Sequence, residues 1–170
     1  AQVVGFLNNY DNILGSDNVS GGGAGTGDIF NAGNAKIQGL EIALEYDLLH
    51  KKDANSDMRL PISIAYTYTD AKFQETFVNG GGDWGSGTIN KNDLIPFITP
   101  HLLTTSIGIE NKKLNVTIIG RYTGETRTKP GQGDATAPKG DVKYNDVNSI
   151  AGVLIIDVSA NYRFSKNFSA

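Results

Sequence analysis

Four cations sit close together late in the chain: Arg121, and then Arg127, Lys129 and Lys139 in the stretch that follows it. Cations that converge at the mouth of a cavity draw in an anion and can pair with its carboxylates. The bland alternative is a set of ordinary solvated loop charges. The single tryptophan, Trp84, lies at the tip of the glycine run Gly80-Gly81-Gly82-Asp83-Trp84-Gly85. Arg121, Arg127, Lys129 and Trp84 are the candidate ligand-binding residues.

Other chemistry-bearing residues point elsewhere only weakly. The same glycine run matches the G-x-G-x-x-G spacing of dinucleotide-binding loops. Such a loop works between a strand and a helix whose N-terminus receives the phosphates. No helical periodicity follows, so the run reads as a loop. His50 and His101 are lone histidines with no second ligand at metal spacing, and structural roles suit them better. Asn90-Lys91-Asn92-Asp93 and the stretch Asp141–Asp146 scatter oxygen donors without the EF-hand pattern, so loop-bound calcium is the minor reading. Asn115-Val116-Thr117 fits a glycosylation sequon but falls within a strand. No Ser/His/Asp arrangement suggests catalysis. The expectation is no enzyme, no cofactor and no metal site.

Composition narrows the class. At 170 residues the chain is one domain or part of one. A net charge of −3 offers no basic footprint, so no nucleic-acid partner is expected. Hydrophobic residues make up 39% and mean hydropathy is −0.26, too polar for a bundle of membrane helices. The longest apolar run, Ile150 to Ile156, falls far short of the roughly 20 residues a spanning helix needs. A barrel wall escapes that limit, because only every second residue meets lipid. With no cysteine, disulfide staples and thiolate metal sites are excluded. The chain opens Ala1-Gln2-Val3-Val4 without an initiator Met or a secretory leader, and closes just after a turn, so both ends read as cut.

The elements that position these residues are strands. Alternation of period two predicts six of them, at about 2–14, 36–48, 59–74, 97–110, 114–126 and 153–164, followed by a stub. The second sets Leu40, Ile42, Leu44, Tyr46 and Leu48 against Gly39, Glu41, Ala43, Glu45 and Asp47. The sixth sets Leu154, Ile156, Val158, Ala160, Tyr162 and Phe164 against Asp157, Ser159, Asn161 and Arg163. Globular strands usually have about 5–6 residues, whereas tilted membrane strands need about 9–11. These segments reach the larger figure.

The links alternate too. Long stretches at about 15–35, 75–96 and 127–152 are separated by a shorter polar link, His50–Met58, and by the tight turns Asn111-Lys112-Lys113 and Ser165-Lys166-Asn167. In an up-and-down barrel every second link falls on one rim, and outer-membrane barrels combine short periplasmic turns with long outer loops. Tyr46, Tyr162, Phe164 and Phe168 fall near the short-turn ends, and Phe97, Tyr68 and Tyr122 toward the long-loop ends, as two interfacial girdles would. Away from the apolar face point Glu41, Glu45, Asp47, Glu110, Asp157, Arg121 and Arg163. Charges of both signs in that number suit a wide, wet lumen, which six strands cannot enclose. The fold class is therefore all-β: about six antiparallel strands of an up-and-down transmembrane barrel, with residues 1–170 as a partial barrel.

Asn34-Ala35-Lys36-Ile37-Gln38-Gly39-Leu40-Glu41-Ile42 resembles the "N-a-x-x-x-G-x-E" strand opening of TonB-dependent outer-membrane receptors. Ile95-Pro96-Phe97-Ile98-Thr99-Pro100-His101 is similar to their "P-x-x-P-x-h" opening. Arg121-Tyr122-Thr123-Gly124-Glu125-Thr126-Arg127-Thr128 and Ile156-Asp157-Val158-Ser159-Ala160-Asn161-Tyr162 resemble their late barrel strands. The motifs occur in the family's order over nearly the whole chain and look closest to the ferric-citrate branch. The resemblance implies a barrel of about 22 strands in the bacterial outer membrane, with a plug domain that this stretch lacks. It implies import of a metal chelate, ferric citrate or a siderophore, powered through TonB. The implied partners are outer-membrane lipid, the chelate or another small nutrient, and the TonB complex through the plug. No ligand residue of the family is carried over. The alternatives are a passive porin or adhesin barrel, or a soluble carbohydrate-binding β-domain.

Overall fold

The computed structural model describes residues 1–16, 29–31, 33–49, 57–80, 86–128, 130, 149–165 and 168–169. In chain order the strands are β1 (Gln2–Tyr10), β2 (Leu14–Ser16), β3 (Ile29–Asn31), β4 (Ala35–Asp47), β5 (Pro61–Phe73), β6 (Phe77–Gly80) and β7 (Ser86–Ile89). They continue with β8 (His101–Glu110), β9 (Leu114–Thr123), β10 (Thr126–Arg127), β11 (Ser149–Ile150), β12 (Val153–Ser165) and β13 (Phe168–Ser169). No helix occurs among the described residues.

Seven strands form one sheet in the order β1-β4-β5-β8-β9-β12-β13, each antiparallel to its neighbours. Every inner wall strand therefore pairs with the wall strand before it and the one after it, which is an up-and-down meander. The sheet is open, and β1 and β13 each lack an outer neighbour among the described residues.

Register turns the alternation of the sequence into two chemically distinct faces. Directly opposed residues share a face, and the pairs Tyr46↔Ile62, Ile62↔Ile107, Ile107↔Ile118 and Ile118↔Val158 run across five strands on one of them. That face also carries Val3, Leu7, Leu40, Ile42, Leu44, Ile64, Leu103, Ile109, Val116, Leu154 and Ile156. Many of these are exposed, Tyr46 at 66% and Val158 at 67%. No second sheet covers them among the described residues. A soluble sandwich would bury such a face, whereas a barrel wall turns it to lipid. The eight-residue rise from Leu154 to Tyr162 spans about 26 Å along the strand, or roughly 20 Å at a barrel's tilt, close to the height of a lipid-facing band.

Aromatic residues mark both ends of that band. Tyr46, Tyr162 and Phe164 lie at the short-turn end, and Tyr162 and Phe164 meet edge to face with centroids 4.9 Å apart. Tyr68 and Tyr122 lie at the long-loop end.

At the rims the structure departs from the predicted boundaries. The first predicted strand ends at Tyr10, because Asn12 turns the chain with φ of 56°, and Leu14–Ser16 pairs with Ile29–Asn31 instead. The fourth begins at His101 rather than Phe97, whose φ of 62° makes a corner that no continuous strand contains. The fifth ends at Thr123, and Thr126–Arg127 pairs with Ser149–Ile150. The stretches 15–35, 75–96 and 127–152 are thus more than loops. Each carries a two-stranded ladder, β2-β3, β6-β7 or β10-β11.

Candidate functional site

Across the middle of β4, β5 and β8 the polar face is lined by small and charged side chains. Glu41, Ala43 and Glu45 of β4 face Thr67, Ala65 and Ser63 of β5, and Ser63 Oγ lies 2.7 Å from Ser106 Oγ of β8. The scarcity of bulk leaves clefts in this surface. One of 260 Å³ is bordered by Gln2, Glu41, Ala43, Ala65 and Thr67. Another, of 340 Å³, opens at the short-turn rim between Glu45, Asp47, Arg59, Ser63 and Ser106.

Some of the charges on this face are paired across strands. Arg121 of β9 forms an ion pair with Asp157 of β12. Asp157 faces Ile119 and Arg121 faces Ile155, so the pair is diagonal, within reach of long side chains. Both side chains are 51% exposed, as they would be in a wetted lumen. At the short-turn rim Arg59 Nε donates to Asp47 Oδ2 at 2.9 Å, and its Nη1 lies 3.7 Å from Glu110 Oε2. The Asp47 hydrogen bond, and then the charges of Asp47 and Glu110, hold the Arg59 pKa above its ordinary value. Arg59 also exchanges backbone hydrogen bonds with Glu110 at 2.8 and 3.0 Å, extending the β5–β8 ladder below the strands.

The long-loop rim is built from the motif segments. Asn34 joins three stretches of chain: its Oδ1 accepts from the Asn12 amide at 3.3 Å, its Nδ2 donates to Glu75 Oε1 at 2.7 Å, and its carbonyl accepts from Gln74 at 2.7 Å. The segment Asp93–Pro100 folds along the upper half of β5, with amides of Phe73, Ile95 and Thr69 paired to Asp93, Ala71 and Pro100 respectively. This packing buries Phe73 and Ile89 against Ile13, Phe77 and Ile95. The corner at Phe97 is fixed from the next loop: its amide donates to the Arg127 carbonyl at 2.8 Å, and Thr99 and Thr126 hydroxyls meet at 2.5 Å. The second and third long stretches therefore share one base.

Of the four candidate ligand residues, Arg127 lies at that shared base, half-buried on β10. Burial lowers its pKa from the ordinary arginine value, while Glu125 and Asp93 push it the other way. Arg121 lies deeper, within the wall, and its charge is engaged by Asp157. Lys129 and Trp84 lie outside the described residues, as do His50, Lys139, most of the glycine run and the stretch 141–146. His101 Nδ1 lies 2.8 Å from the Tyr66 hydroxyl and its ring packs near Tyr68, on the apolar face. In the turn at 90–93, Asp93 Oδ2 accepts from the Asn90 amide at 2.8 Å. No group of three or more His, Cys, Asp or Glu suited to a metal occurs among the described residues.

Sequence reasoning missed two features: the Asp157 partner of Arg121 and the Asp47–Arg59–Glu110 network. Both cross between strands, so nothing in local spacing announces them. The register announces them once strand order is known.

No curated protein and no solved structure matches the chain. A family model described as "TonB dependent receptor-like, beta-barrel" matches residues 1–170. Proteins of that family are TonB-dependent transporters of the bacterial outer membrane, and the two-faced meander described above is a section of such a barrel wall. The chain belongs to the TonB-dependent receptor-like β-barrel family.

Proposed function

We propose that this wall serves the uptake of an anionic metal chelate, ferric citrate or a siderophore, across the outer membrane. Uptake would draw on TonB through a plug seated in the lumen. The observation that carries the reading is the position of Arg127, half-buried where the second and third long stretches share a base at the long-loop rim. A cation held there by backbone pairing is pre-placed to meet an anion entering from outside, and fixing it in advance lowers the cost of ordering it on binding. Lys129, two residues on, adds a second positive charge to the same segment, and Trp84 belongs to the neighbouring long stretch. Arg121 acts lower in the lumen, where Asp157 moderates its pull.

The test uses the whole receptor. Replacing Arg127 and Lys129 together by glutamine should weaken binding of ferric citrate or a siderophore by at least a few-fold, with folding unchanged. Unchanged binding removes both residues from the site. Uptake that persists when the proton-motive force is collapsed would replace this reading with a passive porin.

A further inference from the structure

On the lumen face, directly opposed residues of β9 and β12 make one column of side chains from rim to rim. From the long-loop side it runs Arg121 beside Ile155, Ile119 beside Asp157, Thr117 beside Ser159, and Asn115 beside Asn161. One step beyond, the Arg163 amide donates to the Lys113 carbonyl at 2.7 Å. That bond continues the register, so Lys113 and Arg163 stand opposite each other at the short-turn rim. Ser169 of β13 faces Arg163 from the other side.

The lower three rows of the column carry no carboxylate. Thr117, Ser159, Asn115 and Asn161 offer hydroxyl and amide donors, and Thr117 Oγ1 already donates to Asn115 Oδ1 at 3.3 Å. Below them the two opposed cations repel each other. Both are exposed, and neither side chain has a partner among the described residues. The carboxylates that border the column are engaged elsewhere: Asp157 with Arg121, and Glu110, opposite Asn115, with Arg59. An anion between Lys113 and Arg163 would remove their repulsion and satisfy donors on both.

Position says which anion. Arg121 lies eight residues above Lys113. That is about 26 Å along the strand, or roughly 20 Å along the membrane normal at a barrel's tilt. Short turns mark the periplasmic side of such barrels, so the lower cations stand at the mouth through which cargo leaves. We propose that the β9–β12 column is the exit path of the anionic chelate, with Lys113 and Arg163 as its last station. Neutral donors between two positive ends can pass an oxygen-rich anion along without holding it, since conduction needs successive sites that bind weakly enough to release. The path rests on the anionic-chelate reading above and adds the residues that the cargo meets on its way out.

The probe is radiolabelled ferric citrate, with binding and uptake measured separately on cells carrying the whole receptor. Lys113→Gln with Arg163→Gln should lower the maximal uptake rate about ten-fold, the low end of what a focused field supplies. The dissociation constant at the outer face should not change. Lys113→Arg with Arg163→Lys keeps both charges and should keep the rate. Lys112→Gln, in the same turn but paired with Asp57, should also leave it unchanged. An unaltered rate in the double glutamine variant would overturn the exit station. So would an equal loss in the charge-conserving variant, or a loss accompanied by entry of large antibiotics, which would mark the pair as an anchor for the plug. A wild type that imports no anionic chelate would refute the uptake reading and the path with it. Normal wild-type uptake beside an unaffected double variant refutes the path alone.

Discussion

The ring of Phe6 on β1 lies across Gly39, its directly facing residue on β4. A Cβ at Gly39 would come within 2.5 Å of Phe6 Cζ and would overlap the Tyr68 carbonyl oxygen. The glycine of the "N-a-x-x-x-G-x-E" segment is thus required by close approach, from a ring on one side and a backbone on the other.

Gly39→Val should therefore destabilise the barrel by about 1–3 kcal/mol, in the range for overpacking. Adding Phe6→Ala should recover little, because the Tyr68 backbone stays in place. Denaturant unfolding of the receptor in vesicles measures both variants, and full recovery by Phe6→Ala would make the ring the sole obstacle.

Neighbouring residues on β9 should respond very unequally to charge. Ile118 sits mid-wall on the apolar face and Thr117 on the polar face. Ile118→Lys should cost about 2–4 kcal/mol, the range for a cation at the lipid midplane. Thr117→Lys should cost much less. The same unfolding measurement reads the difference.

The Arg121–Asp157 pair predicts a gain rather than a loss. Asp157→Asn leaves Arg121 charged but without its counter-ion, raising the positive potential in the lumen. Affinity for an anionic chelate should rise by a few-fold, more at low ionic strength than at high. Because the pair is half exposed, stability should change by less than about 1 kcal/mol. Titration of the purified receptor with chelate checks the direction.

The wall was readable because its signal is local and repeated. Alternation placed the second strand at 36–48, and the structure has Ala35–Asp47. It set Glu41 and Asp157 on one face and Leu44 and Val158 on the other, as the register confirms. The rim was not readable. A ladder as short as Thr126–Arg127 with Ser149–Ile150 carries no period, and its partners are far apart in sequence. Nothing in Phe97 signals a positive φ, because the corner depends on a hydrogen bond from its amide to the Arg127 carbonyl in the next loop. The chemistry followed the same division: Arg121 stands out by its type, and its Asp157 partner only from the strand order.

The account rests on which face of the wall meets lipid, and spin labels along β5 test that most directly. The stretch has no native cysteine, so single cysteines at Ile62, Ser63, Ile64, Ala65, Tyr66 and Thr67 can each carry a nitroxide. In the receptor reconstituted in a bilayer, labels at 62, 64 and 66 should collide mainly with lipid-soluble oxygen. Those at 63, 65 and 67 should not, giving accessibility with a period of two. Oxygen accessibility without alternation, or highest at 63, 65 and 67, would contradict the barrel-wall assignment.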